Sequence, residues 1–170
     1  MLPDSVLHAL KRTWDVLEKD GVEAALLGGI AVSIWKHVRA TKDVDLILSI
    51  PAGQVRDVID GLCRAGFRPR SHPPHVVHLD GVDLVQFDVP FPDSYIEVGV
   101  DVQFAKSDFH QQVVERRIRQ AFPEFEFECD IVSCEDLLLL KLHAGRAIDL
   151  ADAAYVLRFN AHEIDIEYLL

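Results

Sequence analysis

Cysteine is scarce in this chain: Cys63, Cys129 and Cys134 are the three among 170 residues, and no CxxC pair occurs. An odd, sparse set excludes a disulfide framework and fits reduced thiols buried as small apolar residues. Long apolar runs are also missing. None approaches the roughly 20 residues that cross a bilayer as a helix. The first residues, MLPDSVLHALKRTW, carry an early acid and lack the apolar block and small-residue cleavage site of a signal peptide. The expectation is a cytoplasmic protein with no membrane partner. Positive charge is short, with 17 Lys and Arg against 28 Asp and Glu, a net charge of −11. That deficit argues against broad, sequence-independent nucleic-acid binding, which needs a basic face to displace counterions, but it leaves room for a local basic groove. Neither GxGxxG nor GxxxxGK[ST] occurs, so neither a dinucleotide fold nor a phosphate-binding P-loop is supported. No Ser-His-Asp or Cys-His arrangement stands out. His72, His75 and His78 lie in SHPPHVVHLDG, where Pro73-Pro74 forbids a helix and a strand sets His75 and His78 on opposite faces, so a zinc site is not expected.

What remains is an ordinary globular balance, 49% hydrophobic and 26% charged, enough for one domain with a real core. Apolar periodicity predicts a helix over 3–19, carrying Val6, Leu7, Leu10, Trp14 and Leu17 and stopped by Asp20-Gly21. Strands follow at 24–27 and 44–50, separated by Gly28-Gly29 and a helix over 30–38 that buries Ile30, Ile34 and Val38. A helix over 52–65 ends at Gly66. HVVHLDG and VDLVQFDV read as a hairpin turning at Asp80-Gly81, and 96–105 reads as a strand with Val98, Val100, Val102 and Phe104 on one face. A helix over 107–121 with a basic stripe (Arg116, Arg117, Arg119), solvated or touching an anionic acceptor, precedes a strand at 125–132. Ser133-x-x-Asp136 resembles a capping box ahead of one or two helices, with Gly145 as the break. A last helix from Glu163 ends on apolar residues at Leu170, the pattern of a truncated chain or of a tail that packs back. Strands and helices alternate, with one hairpin inserted: a mixed α/β or α+β fold with a helical C-terminal portion.

Chemistry concentrates in Leu26–Ile50, LLGGIAVSIWKHVRATKDVDLILSI. Residues two apart on a strand share a face, so Asp43 and Asp45 lie together while Val44, Leu46 and Leu48 supply core. Paired carboxylates repel unless a proton or cation intervenes. A glycine pair between strand and helix admits a phosphate close to backbone amides. Alone it is more often structural, and an Asp-x-Asp at a strand start can simply be solvated. Together they suit a divalent cation bridging carboxylates and phosphates.

The pattern Gly-Gly, helix, Arg39-x-Thr41-x-Asp43-x-Asp45 resembles the nucleotidyltransferase superfamily with its DNA polymerase β-like core, and within it the minimal nucleotidyltransferases and AbiEii-type toxins. The resemblance spans about residues 22–158. It implies a nucleotidyltransferase-type mixed β-sheet flanked by helices over residues 1–132, with residues 133–170 as a helical portion packed on it. It implies a third carboxylate from a later strand, where Asp101 in Gly-Val-Asp-Val-Gln-Phe stands ahead of Asp83 and Asp88. It further implies Asp43, Asp45 and Asp101 as ligands for Mg²⁺ or Mn²⁺ and as catalytic residues. Gly28, Gly29, Arg39, Thr41, Lys42 and Asp149 become nucleotide-binding residues, and Lys141 a catalytic lysine. Lys141, Gly145, Asp149 and Asp152 share a face if their helix is continuous. Lys141 then either reaches a phosphate, oriented by Asp149, or makes a plain salt bridge with Arg146 and Asp149 nearby. One departure is visible: the superfamily's commoner Gly-Ser is Gly28-Gly29 here. That places phosphate binding on amides and on Lys36, Arg39 or Lys42.

The resemblance thus implies transfer of a nucleoside monophosphate from a nucleoside triphosphate, ATP among the candidates, to a hydroxyl of an RNA, protein or small-molecule acceptor. It also implies a toxin–antitoxin role with a cognate antitoxin partner. Two rival readings are a non-catalytic or partner-regulated binding module on the same fold, and a hydrolase or metal-binding protein without a triphosphate preference.

Overall fold

A computed structural model describes residues 3–91 and 97–169. The order is α1 (Asp4–Lys19), β1 (Glu23–Leu27), α2 (Gly28–Ile34), β2 (Asp43–Ser49), α3 (Val55–Arg64), β3 (Arg68–Pro69), β4 (Val77–Leu79), β5 (Val82–Pro90), β6 (Glu97–Ala105), α4 (Asp108–Glu115), β7 (Ile118–Phe122), β8 (Phe127–Ile131), α5 (Cys134–Ala144), α6 (Ala147–Asn160) and α7 (Ile166–Leu169). One mixed sheet runs β3-β5-β6-β2-β1-β8-β7, with β4 paired to β5. Its centre is antiparallel β1–β2 beside parallel β2–β6, and β6 continues antiparallel into β5. This is the mixed sheet flanked by helices that the resemblance implies, with α5–α7 following it.

Alternation along the central strands gives the sheet two apolar faces. Leu26, Val44, Leu46, Leu48, Val100, Val102 and Phe104 share one core with Leu10, Trp14 and Leu17 of α1 and Val58, Ile59 and Leu62 of α3. Ala25, Leu27 and Ile47 point the other way, into a second core with Val113 and Val114 of α4, Leu137 and Leu138 of α5, and Ala153 and Val156 of α6. Asp43, Asp45 and Ile47 alternate on that second face, which is apolar under the helices and acidic beyond them.

Two expectations are corrected. The helix expected through 38 stops at Ile34, and Val38 is 69% exposed, because Lys36 takes a positive φ that ends the helical path. The helix expected over 107–121 stops at Glu115, and Ile118–Phe122 is β7, antiparallel to β8. The supposed basic stripe is a set of paired arginines. Arg117 meets Asp130 and Glu23, Arg119 meets Glu128 and Asp130, and Arg116 approaches Asp136 and covers the Tyr168 ring. These arginines are engaged inside the molecule and are not a free anion-binding face.

Other expected details hold. The hairpin turns at Asp80-Gly81, pairing Leu79 with Val82. Ser133 caps α5, its hydroxyl accepting from the Asp136 N–H. Gly145 ends α5 in the left-handed region at φ 65°, so α5 and α6 are separate helices. Tyr168 of α7 donates to Asp136 Oδ1 at 2.8 Å, returning the tail to α5. Ile96 and Leu170, at the ends of two expected elements, lie outside the described residues. No helix among the described residues is long and apolar enough to cross a membrane. Cys129 and Cys134 are buried, which pushes both thiols up to about 12 and leaves them as core residues.

Candidate active site

Parallel pairing of β2 with β6 sets Asp43 beside Gly99 and Asp45 beside Asp101. The antiparallel β5 then places Gln86 opposite Asp101 and Asp88 opposite Gly99. Gln86 Nε2 donates to both Asp101 oxygens at 3.1 Å, and Arg70 Nε donates to Asp88 at 3.0 Å. A polar row thus crosses three strands on the second face.

Above it sits the β1–α2 turn. Gly28 has φ +67°, and a Cβ there would lie 1.9 Å from Asp45 Oδ2, so only glycine fits both the backbone and the space. The Gly29 N–H favours the charged form of the Asp45 carboxylate. A Cβ on residue 29 would lie 2.7 Å from Thr41 Oγ1. The buried Thr41 hydroxyl therefore occupies the room a serine at position 29 would need, which accounts for Gly-Gly in place of Gly-Ser.

Burial, then the neighbouring charges of Asp101 and Asp43, push the Asp45 carboxyl up to about 6, against smaller opposing effects of Gly29 N–H and Lys141. Asp101 is also raised, chiefly by burial, with Gln86 and Arg70 pulling the other way. Asp43 is exposed, and its Oδ1 stands over Gly99 close to the Arg70 guanidinium.

The opposite wall comes from α5 and α6. The break at Gly145 folds α6 back so that Lys141 Nζ meets Asp149 Oδ1 at 2.7 Å and Asp152 Oδ2 at 3.0 Å, all three side chains buried. Arg146 Nε donates to Asp149 at 2.5 Å, and Arg39 Nε lies 3.0 Å from Asp152. Hydrogen bonds from Arg146 and Lys141 outweigh burial and hold Asp149 below the usual carboxylate range. Lys141, Asp149 and Asp152 meet through the break rather than along a continuous helix, which corrects the shared-face geometry.

Between the walls lies a cleft of about 550 Å³. Gly28, Gly29, Arg39, Asp45, Asp101, Lys141, Arg146 and Asp149 line its polar part, and Leu79, Val82, Leu84, Leu137 and Leu140 its apolar part. A larger groove of about 860 Å³ between α1 and α3 lies on the other face and contains none of these residues. Of the residues expected from the sequence, Asp45, Asp101, Lys141, Gly28, Gly29, Arg39 and Asp149 share the cleft. Asp43 stands one register position beyond it, Thr41 supports the turn from behind, and Lys42 is exposed outside the lining. Lys36, expected near phosphate, pairs instead with Glu163 at 2.9 Å. Gln86 and Arg70 had no expected part. Gln86 is placed by β5–β6 register and Arg70 by the pairing of its segment with β5, neither of which a local signal in the sequence reveals. His78 pairs with Asp83 at 2.6 Å.

The donor set fits a hard divalent cation. Asp45 and Asp101 offer only oxygen, adjacent and with raised affinity for a positive charge. Among the described residues, no three His, Cys, Asp or Glu side chains converge as a finished cage.

A family model described as the nucleotidyl transferase AbiEii toxin of a type IV toxin–antitoxin system matches residues 9–170. The chain belongs to the AbiEii family. Solved structures agree on the fold. A candidate nucleotidyltransferase of Thermotoga maritima aligns with a TM-score of 0.61 at 11% identity, over 96% of this chain and 97% of that one. An antigenic nucleotidyltransferase-like protein of Paracoccidioides brasiliensis aligns at 0.59 with 15% identity, over 91% and 76%. The lincosamide antibiotic adenylyltransferase LnuA, bound to lincomycin, aligns at 0.52 with 18% identity, over 91% and 96%. No curated protein matches this AbiEii chain by sequence.

Proposed function

We propose that this AbiEii-family chain is a divalent-cation-dependent nucleotidyltransferase that moves a nucleoside monophosphate from a nucleoside triphosphate to a hydroxyl of an acceptor. The observation that carries the reading is the Asp45–Asp101 pair beneath Gly28, two part-buried carboxylates facing a cleft, both raised because nearby Arg70 and Lys141 do not offset burial and mutual repulsion. Asp45 and Asp101 would hold Mg²⁺ or Mn²⁺, with the exposed Asp43 as the third carboxylate. The cation, when bound, neutralises and polarises the phosphates. The chain supplies the rest. Gly28 and Gly29 let phosphates approach the backbone, and Thr41 fixes that turn. Arg39, Arg146 and Lys141 present positive charge along the cleft wall, with Asp149 and Asp152 anchoring Lys141 and Lys42 at the rim. The acceptor oxygen bonds to the α-phosphorus, the bond to pyrophosphate breaks, and Asp101, its carboxylate held by Gln86, takes the hydroxyl proton.

The apolar side of the cleft gives a base or an acceptor ring a surface to lie on. The LnuA likeness supports a small-molecule acceptor, while the family description supports a toxin countered by an antitoxin. Incubation of the protein and Mg²⁺ with each nucleoside triphosphate labelled at the α-phosphate, alone and with cell extract, should transfer label to one fraction. Label should stay in the nucleotide with Asp45→Asn. If no nucleotide transfers label and neither Mg²⁺ nor nucleotide raises the melting temperature, the reading fails.

A second reading, a partner-regulated binding module, draws on Lys141 being locked between two buried aspartates rather than free to meet a phosphate. It predicts nucleotide-dependent stabilisation without label transfer.

A further inference from the structure

Helix α6 is built inside out. Asp149, Asp152 and Asn160 lie buried on its inner side with Ala153 and Val156, while Ile148, Leu150, Tyr155, Leu157 and Phe159 face outward. At 3.6 residues per turn, Ala147, Ala151 and Ala154 form the outward centreline with Arg158 at its C-terminal end, Leu150 and Leu157 flank it on one side, and Ile148 and Tyr155 on the other. A low alanine line between raised apolar rims is a surface into which another helix packs closely. Its one charge is Arg158, in a chain of net charge −11.

We propose that this face pairs with the same face of a second copy of the chain, antiparallel about a two-fold axis. Ala147, Leu150, Ala154 and Leu157 follow the alternating three-and-four spacing of a helix–helix seam. Read backwards, the series exchanges each alanine for a leucine. A two-fold contact brings a helix against its own reverse. It therefore sets Ala147 against Leu157 and Leu150 against Ala154, a small residue opposite a large one in every layer. A different partner imposes no such self-complementarity.

On the seam Leu150 is 47% exposed and Leu157 44%, while Ile148, 52% exposed, lies on the far rim and Tyr155 stacks on His37. At roughly 100 Å² apiece the two leucines, with the alanine methyls between them, offer an apolar contact smaller than the ~800 Å² per partner of a standard interface, the size of a weak, concentration-dependent dimer. The inner side of the same helix supplies Asp149 and Asp152 to the cleft wall, so pairing braces that wall from behind.

Sedimentation of the full chain across a concentration series tests this. The expected result is a monomer–dimer equilibrium that tightens as salt rises, because screening weakens repulsion between two acidic copies. Leu150→Glu/Leu157→Glu and, separately, Ala154→Arg should each leave a monomer with unchanged circular dichroism, since the three native side chains face outward and Ala154→Arg removes no large one. A chain that stays monomeric at every concentration, including one that takes up a different protein on this face, overturns the proposal. So does a dimer that salt dissociates, or one that persists in a folded variant of either kind.

Discussion

Two pairs of aspartates face each other across one cleft, and they behave oppositely. Asp149 and Asp152 are buried but surrounded by Lys141, Arg146 and Arg39, and Asp149 sits below the usual carboxylate range. Asp45 and Asp101 are in contact register on adjacent strands and both are raised, with Gln86 bonded to Asp101 and Arg70 and Lys141 nearby but ion-paired to neither. Residue type is the same, and burial opposes ionisation in both places. The difference lies in whether fixed cations arrive with the fold. A pair that brings its own cations is a brace. A pair that does not is, in the proposed reading, the place for a cation from solution.

The largest test of that contrast is kinetic. Asp45→Asn and Asp101→Asn should each lower nucleotidyl transfer by more than about a hundredfold, the scale of losing one preorganised electrostatic group. Neither change should lower the melting temperature measured in chelator. A large stability loss in chelator would make this pair a brace too. Next comes the opposite wall. Lys141→Met removes the cation shared by two buried carboxylates, leaving Asp149 to Arg146 and Asp152 to Arg39, and should cost about 3 kcal/mol in urea unfolding, the low end for breaking a buried pair. A loss below about 1 kcal/mol, the scale of exposed pairs, would break the contrast from the other side.

A third test uses pH. In the metal-free protein the folded Asp45 carboxyl titrates near 6, above its ordinary 3.8. The folded state therefore holds this proton more tightly, and the stability it confers is present at low pH and lost as pH rises through 6. Melting temperature in chelator should fall between pH 5 and pH 7, and Asp45→Asn should remove that part of the fall. Discounted for partial exposure, the effect is on the order of 1–2 kcal/mol. The smallest expected change is Tyr168→Phe, which removes a hydrogen bond to Asp136 well away from the cleft. It should cost about 1 kcal/mol and leave transfer rates alone.

The contrast was half legible in the sequence. Period-two alternation is strict, so Asp43, Asp45 and Asp101 could be assigned to faces opposite their apolar neighbours. The Gly28-Gly29 turn announced where the chain needs φ above zero and an open surface. Register between strands is another matter. That Gln86 rather than Asp83 or Asp88 meets Asp101 depends on how β5 slides along β6, which local pattern does not encode. The α4–β7 error has a similar origin. Ile118–Phe122 becomes a strand because Arg117 and Arg119 find acids across the β7–β8 ladder, a tertiary preference that overrides helix propensity.

The break at Gly145 has a consequence for assembly. By turning α6 back on α5 it makes the Lys141–Asp149 contact local, with a separation of 8 residues. Such a helical hairpin closes a short loop and can organise early in folding. Asp45 and Asp101 meet only after β2 and β6 pair in parallel across the hairpin and β5, a slow, non-local closure. The two halves of the cleft are therefore timed differently: the cationic wall can stand before the acidic floor exists, and what forms last is the pair proposed to take a cation.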